Sequence, residues 1–182
     1  MKIEDNFLDQ KKFDEIQTLM MGGGEDQQNL PWFFASAIDT PEEFHDENID
    51  KFQFTHMFYF DFCPKSPFCE HLNPVIVVLN PISIWRIKAN LLTKTPNIIE
   101  NEFHIDIGNL NDFPVKLKQW VTSIFYINTN NGYTEFEDGT KVESVANRLV
   151  TFPANMKHRG TTCTDEKIRV VINFNYFSNR EP

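Results

Sequence analysis

The fold is indicated by the stretch WVTSIFYINTNNGYTEFEDGTKVESVANRLVTF, which spans residues 120–152. Four runs in it are rich in β-branched and aromatic residues, as strands are, namely WVTSIFYIN, YTEFE, KVESV and NRLVTF. The sequences NTNNG and DG between them are rich in the residues that turns require. The stretch therefore predicts consecutive antiparallel strands joined by short turns.

Further short strands are predicted on both sides of this stretch. FHIDI precedes it at residues 103–107, and KHRGT and KIRVVINFNYF follow it up to residue 177. About seven short strands separated by Gly, Asn and Asp turns favour a sandwich or barrel over a parallel sheet with crossover helices. We therefore predict a mainly β (α+β) chain whose core is a jelly roll, the double-stranded β-helix.

The N-terminal part of the chain is predicted to support this core. Apolar residues recur at helical spacing over residues 5–21, with Asp5 or Asn6 available as N-cap, and Gly22-Gly23-Gly24 ends the helix. We predict a single domain over residues 1–182. Its first part, 1–82, is a helical support region, and residues 83–177 form the jelly-roll core that contains the functional site.

Several segments between the helix and the core have less specific patterns. QFTHMFYFDF and SIWRIKANLLT are typical of strands. LPWFFASAI fits either a strand or the wall of a pocket, and HLNPVIVVLN fits either a helix or a buried strand. Residues 107–118 are predicted to form a loop at the mouth of the site.

Composition and charge narrow the classes of function. The 182 residues are 41% hydrophobic and include 18 Phe, enough for the core of one globular domain. The net charge of -9 argues against nucleic acid as a partner, because phosphate binding requires clustered Lys and Arg. Neither a membrane-spanning run nor a signal peptide is predicted, and three cysteines without a paired pattern fit a reducing compartment. We expect a cytoplasmic protein without a membrane partner.

The motif His104-Ile105-Asp106 is a candidate metal-binding pair. Alternate residues of a strand point to the same face, so that both side chains would reach one ion. His158 would join them from a distant strand. Two imidazoles and one carboxylate on one face bind Fe(II) and leave adjacent positions open. A second motif, His45-Asp46-Glu47, lies in a polar stretch and is interpreted as exposed surface.

Arg169 lies in the otherwise apolar run KIRVVINF, eleven residues after His158. Burying a guanidinium group is costly unless an anion meets it. Its planar fork of N–H groups fits a carboxylate in bidentate fashion. Either Arg169 binds a dicarboxylate inside the protein, or it lies on the surface of an edge strand.

Six segments of the chain, taken in order, resemble the 2-oxoglutarate/Fe(II)-dependent dioxygenases of the prolyl 4-hydroxylase type. They are FHIDI, VTSIFYIN, NGYTEF, NRLVTF, KHRGT and KIRVVINF. The resemblance covers residues from about 83 to 177. It extends to small marine-virus oxygenases of the cyanophage type, through RIKANL, NTNNGYTEFEDGT and RVVINFNYF. It implies that His104, Asp106 and His158 are the catalytic iron ligands, and that Arg169 binds the 5-carboxylate of 2-oxoglutarate.

The resemblance also implies roles for three further residues. Tyr126 would lie beside the same carboxylate and donate its hydroxyl to it. Gly132 and Thr134 match a glycine-x-threonine whose role is structural, with Thr134 lining the pocket.

The function implied by this resemblance is hydroxylation of a C–H bond, coupled to oxidative decarboxylation of 2-oxoglutarate with Fe(II) and O2. Asp106 favours hydroxylation, because the halogenases of this class lack that carboxylate. The substrate stays open among a prolyl or other peptide side chain, a free amino acid and a small metabolite.

Three other functions are compatible with parts of the pattern. One is a jelly roll that binds a metal or small ligand without catalysis. A second is a zinc hydrolase, for which Glu135 or Glu137 would serve as general base. A third is a nucleic-acid dealkylase of the same superfamily, which the acidic charge disfavours.

Overall fold

The computed structural model describes residues 1–22, 30–38, 51–107 and 119–178. Within these ranges the α-helices are α1 (Gln10–Met21) and α2 (Asn73–Leu79), and a 3₁₀ helix (Pro67–Leu72) leads directly into α2. The strands are, in chain order, β1 (Lys2–Glu4), β2 (Phe33–Ala35), β3 (Gln53–Phe60), β4 (Cys63–Pro64), β5 (Ser83–Thr93), β6 (Trp120–Tyr126), β7 (Tyr133–Phe136), β8 (Lys141–Glu143), β9 (Arg148–Pro153), β10 (His158–Gly160) and β11 (Ile168–Phe177). In this part of the chain no helix is both long and apolar enough to cross a membrane.

Two antiparallel sheets form a double-stranded β-helix, which confirms the predicted jelly roll. The large sheet has the strand order β1-β9-β6-β11-β5-β3-β2, with β4 paired to β3. The small sheet has the order β10-β7-β8. β11 lies between β5 and β6 and is antiparallel to both, so that it forms the centre of the large sheet.

One face of the large sheet, the helix face, is covered by apolar side chains of α1. Phe13 and Ile16 of α1 belong to one buried cluster with Phe125 of β6 and Ile172 of β11. Phe13 meets Phe125 edge to face, with their ring centroids 5.9 Å apart. Fully burying such side chains stabilises a fold by about 1.5–3 kcal/mol each.

The opposite face, the cavity face, is covered in part by the small sheet. Phe136 of β7 packs edge to face on Phe152 of β9, with ring centroids 4.8 Å apart, and Val142 of β8 joins the same cluster. Because side chains alternate along a strand, Tyr126 belongs to this cluster while its neighbour Phe125 packs on the helix face.

The N-terminal helix begins later than predicted. Its N-cap is Asp9, whose carboxylate accepts a hydrogen bond from the Lys11 backbone N–H at 3.2 Å, and not Asp5 or Asn6. The residues before it are held elsewhere, because β1 pairs with β9 and Asp5 forms an ion pair with Arg148. The predicted end is confirmed, since the helix stops at Gly22 with a φ of 74°.

The rest of the first 82 residues contributes strands as well as helical support. β3 lies between β5 and β2 in the large sheet and falls within the predicted strand QFTHMFYFDF. LPWFFASAI contains the short strand β2, and HLNPVIVVLN is helical. Of the loop predicted at residues 107–118, all but Ile107 lies outside the described residues.

Candidate metal centre and anion site

A cavity of about 280 Å³ opens between the cavity face of the large sheet and the small sheet. It is lined by alternate residues of β5 and β11, by residues of β7 and β10, and by the segment 101–106. Along β5, Arg86 and Lys88 face the cavity, while Ile87 and Ala89 are fully buried on the helix face. Strand alternation thus places polar groups on one side of a sheet whose other side is apolar.

His104 and His158 lie directly opposite each other at one end of this cavity. An isolated antiparallel bridge joins them, in which each backbone N–H donates to the other's carbonyl oxygen at 3.0 Å. Residues paired in this way carry their side chains on the same face of the ladder. The two imidazole rings are accordingly close, with centroids 4.9 Å apart.

Asp106 completes a cluster of potential metal ligands. Its Oδ1 lies 3.8 Å from His104 Nε2, and its Oδ2 lies 4.0 Å from His158 Nε2. One ligand atom from each of the three residues lies within 4.8 Å of the others. The chemistry of the set, two imidazoles and one carboxylate, fits Fe(II) or Zn²⁺.

The prediction of a strand at FHIDI is wrong, although the predicted cluster of His104, Asp106 and His158 is present. His104 makes a single bridge, and the chain bends at Asp106. The physical reason is an interaction beyond the segment: the Asp106 carboxylate pairs with Arg86 on the large sheet, at 2.9 Å.

Both histidines are oriented by backbone carbonyl groups. His158 Nδ1 lies 3.3 Å from the Met156 carbonyl oxygen, and His104 Nδ1 lies 3.1 Å from that of Glu102. A proton on Nδ1 would satisfy these carbonyl groups and place the lone pair on Nε2, the nitrogen nearest to Asp106.

The environment of His158 fits a metal ligand. Burial lowers its pKa to about 4, although the Asp106 carboxylate acts in the opposite direction, so the ring is neutral near pH 7. Its Nε2 is buried and has no hydrogen-bond partner in the described part of the chain. Buried polar atoms are rarely left unsatisfied, and a metal ion bound at Nε2 would remove the deficit.

Asp106 is held by a second layer of polar groups. Besides the Arg86 ion pair, Asn175 donates from Nδ2 to Oδ2 at 3.0 Å, and Arg86 donates from Nε to the Asn175 side-chain oxygen at 2.9 Å. Burial alone would raise the pKa of Asp106, but the Arg86 charge, together with the Asn175 hydrogen bond, holds the pKa well below its usual range. The carboxylate is therefore ionised and fixed in orientation without a metal.

Arg169 lies in the same cavity and is 2% exposed. Its Nε donates to Ser144 Oγ at 2.8 Å, and its Nη2 donates to Thr134 Oγ1 at 3.3 Å. No carboxylate of the described residues lies within ion-pairing distance of it, and burial lowers its pKa. A buried guanidinium group with only neutral partners is the arrangement that an anionic ligand would complete.

Tyr126 and Thr134 both belong to the surroundings of Arg169, but at different depths. Thr134 lines the cavity, whereas Tyr126 is fully buried behind it and donates its hydroxyl to Thr134 Oγ1 at 2.9 Å. Because Thr134 Oγ1 accepts from both Tyr126 and Arg169, its own hydroxyl hydrogen is available to an anion in the cavity.

Gly132 leaves the space that the Arg169 side chain occupies. A Cβ atom added at Gly132 would lie 2.6 Å from Arg169 Cδ and 2.8 Å from the Thr162 carbonyl oxygen. Those distances are shorter than van der Waals contact, so a side chain at this position would displace Arg169.

Other residues considered in the sequence lie away from the cavity. Glu135 binds Arg159 at 2.6 Å and Glu137 binds Lys157 at 3.1 Å, and neither is among the described lining residues. His56 is buried between the Pro31 carbonyl oxygen and Ser66 Oγ, at 2.7 and 2.8 Å. The motif at residues 45–47 lies outside the described residues.

Among the polar residues around the cavity that the sequence did not indicate, four matter for the site. They are Arg86, Lys88, Ser144 and Asn175. Two of them were open to detection, because Arg86 and Lys88 are two residues apart in a strand and must share a face. The other two have no local signal, since their roles depend on partners 25 and 69 residues away.

Comparisons with known proteins agree with this architecture. No protein-family model and no curated protein matches the chain. Among solved structures, it is similar to a prolyl hydroxylase from Trichoplax adhaerens in complex with a hypoxia inducible factor peptide fragment, with a TM-score of 0.62 and 14% identity over 97% of this chain and 82% of that one.

Two bacterial structures are similar to a comparable extent. An oxidoreductase of the 2OG-Fe(II) oxygenase family from Burkholderia pseudomallei has a TM-score of 0.63 and 12% identity, covering 98% of this chain and 86% of its own. A prolyl-4-hydroxylase from Pseudomonas putida has a TM-score of 0.53 and 13% identity, covering 97% and 92%. At these identities the likeness shows the fold: the chain has the double-stranded β-helix that these oxygenases have.

Proposed function

We propose that the chain is a 2-oxoglutarate- and Fe(II)-dependent oxygenase that hydroxylates a C–H bond. One observation carries the proposal: a single cavity contains both the cluster of His104, Asp106 and His158 and the buried guanidinium of Arg169, which has no ion-pair partner among the described residues. The first suits a metal that keeps open positions, and the second suits the far carboxylate of a dicarboxylic acid.

The residues of the chain would act by holding and orienting the reactants. The two histidines and Asp106 would hold Fe(II) from one side, while Arg169 and the Thr134 hydroxyl would bind the 5-carboxylate of 2-oxoglutarate. When bound, Fe(II) supplies the oxidative chemistry, in which 2-oxoglutarate, O2 and R–H give succinate, CO2 and R–OH. One oxygen atom of O2 enters succinate and the other enters the product.

The similar structures support the proposal by their fold and by the activities for which those proteins are named. Two are prolyl hydroxylases, one of them in complex with a peptide, and a third is assigned to the 2OG-Fe(II) oxygenase family. A peptide or a small molecule is therefore the class of substrate that we propose. We also propose a reducing, cytoplasmic environment, with which the free thiols of Cys63, Cys69 and Cys163 are compatible.

A zinc hydrolase fits the geometry less well. Its general base would have to lie beside the metal, but Glu135 and Glu137 pair with Arg159 and Lys157 outside the cavity lining. It would also give no reason for burying Arg169. The alternative that remains is a protein that binds metal and ligand without turnover.

The experiment that tests the proposal is succinate release from 2-oxoglutarate after anaerobic loading with Fe(II) and exposure to O2. We expect release that depends on Fe(II) and stops when Zn²⁺ or a chelator replaces it. A screen of peptides and free amino acids would then identify compounds that stimulate release. If the wild-type protein binds Fe(II) and 2-oxoglutarate but releases no succinate with any compound, it is a binding protein and the proposal fails.

A further inference from the structure

The cavity lining is cationic although the protein as a whole is acidic. The net charge of the chain is -9, yet the described lining residues include Arg86, Lys88 and Arg169 and a single acid, Asp106. Fe(II) and the 2-oxoglutarate dianion would cancel each other in charge. An excess of positive charge would therefore remain in the cavity when metal and co-substrate are bound.

Of these three cations, Lys88 is the one without an assigned partner. Arg86 pairs with Asp106, and Arg169 takes the 5-carboxylate in the proposed function. Within the described residues, no hydrogen bond or ion pair of the Lys88 ammonium group is found. Burial and the nearby Arg86 charge lower the Lys88 pKa and outweigh the opposing attraction of the Asp106 carboxylate, so that the charged side chain is destabilised where it lies.

Lys88 is fixed in this position by the large sheet. It lies on β5 directly across from Asn173 of β11, and its chain neighbours Ile87 and Ala89 are fully buried on the helix face. The strand thus prevents the ammonium group from turning to the other face. It lies on the metal side of the cavity, because Asn173 Nδ2 is 3.4 Å from Asp106 Oδ2.

Two acceptors with no partner lie in the same lining. The side-chain oxygens of Asn173 and Asn101 are buried and have no hydrogen-bond partner in the described part of the chain. A buried acceptor without a donor destabilises the protein, and a ligand N–H group would supply the missing hydrogen bond. The subsite therefore combines the Lys88 ammonium group, which would bind an anionic group of a ligand, with the Asn173 side-chain oxygen, which would accept a hydrogen bond from it.

We propose that Lys88 binds the carboxylate of the substrate, which is an α-amino acid unit, either free or at the C-terminus of a short peptide, whose N–H group donates to Asn173. The inference rests on the proposed function and names its substrate class. The cavity size favours small ligands: about 280 Å³ lies just below the range of about 300–1,000 Å³ that is typical of ligand pockets.

The alternative for Lys88 is the co-substrate itself. A carboxylate of 2-oxoglutarate at the metal would also attract an ammonium group on the metal side. The two cases differ in the affinity for 2-oxoglutarate. A substitution of Lys88 leaves this affinity unaltered if Lys88 binds the substrate, and lowers it if Lys88 binds the co-substrate.

The test uses the full chain loaded anaerobically with Fe(II) and 2-oxoglutarate, and it measures equilibrium binding by calorimetry and by the shift in Tm. The probes are matched pairs: the proteinogenic amino acids and their carboxamides, and the corresponding glycyl dipeptides and their carboxamides. The variants are Lys88→Met, Lys88→Arg and, as a matched control, Lys94→Met, because Lys94 is exposed just beyond the end of β5.

We expect at least one acid to bind the wild-type protein tenfold or more tightly than its carboxamide. Lys88→Met should abolish this preference, Lys88→Arg should retain most of it, and Lys94→Met should match the wild type. The affinity for 2-oxoglutarate should change less than threefold in all three variants. Comparing amino acids with dipeptides shows whether the free unit or the peptide end is bound.

Two results would overturn the inference while 2-oxoglutarate still binds. One is that no acid is preferred over its carboxamide by the wild-type protein. The other is a tenfold or larger loss of 2-oxoglutarate affinity in Lys88→Met, which would assign Lys88 to the co-substrate. If the wild-type protein with Fe(II) binds no 2-oxoglutarate, the proposed function has failed first, and the inference falls with it. The Tm of each variant without ligand shows that it is folded.

Discussion

The two faces of β11 differ in chemistry although they belong to the same strand. Val170 and Ile172 are fully buried on the helix face in an apolar cluster with α1. On the opposite side, Arg169 and Asn173 line the cavity and Asn175 lies beside Asp106, and all three are buried although they are polar. The difference shows that the helix face supplies stability, while the cavity face holds buried polar groups whose missing partners a bound ligand would supply.

The largest effect should come from the helix face. Phe125→Ala should lower the free energy of unfolding by about 3–5 kcal/mol, because it removes a fully buried ring that meets both Phe7 and Phe13 edge to face. Urea unfolding measures this change. The metal affinity of the folded variant should equal that of the wild type, and a comparable loss of metal affinity would contradict the division between the faces.

His104→Ala should have the opposite effects, namely a loss of metal binding with little change in stability. We expect the Fe(II) affinity to fall by more than about 100-fold, since changes to residues that merely support a ligand already cost about 10–100-fold. Succinate release should be abolished, as it should in Asp106→Ala. His104 is partly exposed, so the unfolding free energy of the metal-free protein should hardly change. Full activity in either variant would refute the ligand assignment.

Arg169→Ala should weaken the binding of 2-oxoglutarate and leave the binding of the metal intact. Loss of a buried charge pair costs about 2–5 kcal/mol, so the 2-oxoglutarate requirement should rise by a factor of about 30 or more, while Fe(II) still binds. Separate titrations of Fe(II) and 2-oxoglutarate give the two affinities. Equal loss of both would mean that Arg169 is structural and binds no co-substrate.

Asn175→Ala tests the second layer around Asp106. Without the hydrogen bond from its Nδ2 to Oδ2, the carboxylate is less well oriented, and Fe(II) affinity should fall by about 10–100-fold. Asn90→Ala is the matched control, because Asn90 is an asparagine that lines the cavity but is not among the described partners of Asp106. Equal effects in the two variants would indicate a general perturbation of the cavity.

The smallest effect concerns a histidine on the helix side, His56. Burial lowers its pKa, although its hydrogen bond to Pro31 acts in the opposite direction. The unfolded chain therefore binds a proton more readily below about pH 6.5, and the free energy of unfolding should fall as the pH falls below that value. Urea titrations at pH 7.5 and 5.5 measure it, and His56→Gln should show a smaller dependence.

Local patterns were enough to predict most of the fold. Strand periodicity predicted β6 to β9 and β11 almost to the residue, because turn residues and β-branched runs act over a few positions. The motif His104-Ile105-Asp106 with His158 indicated the three residues that cluster, and Arg169 lines the same cavity, while their roles stay predictions. Local patterns failed at FHIDI and at the N-cap, where distant partners decide the conformation.

The sequence by itself determined the alternation of polar and apolar residues along the strands, and with it the residues that could share a face. Only the tertiary structure decided which of them meet. Asp106 turns to Arg86 and Asn175 because the register of β5 against β11 places those two residues side by side. Lys88 is left facing the cavity by the same register. Local propensity acts over a few residues, whereas these contacts depend on how strands far apart in sequence are aligned.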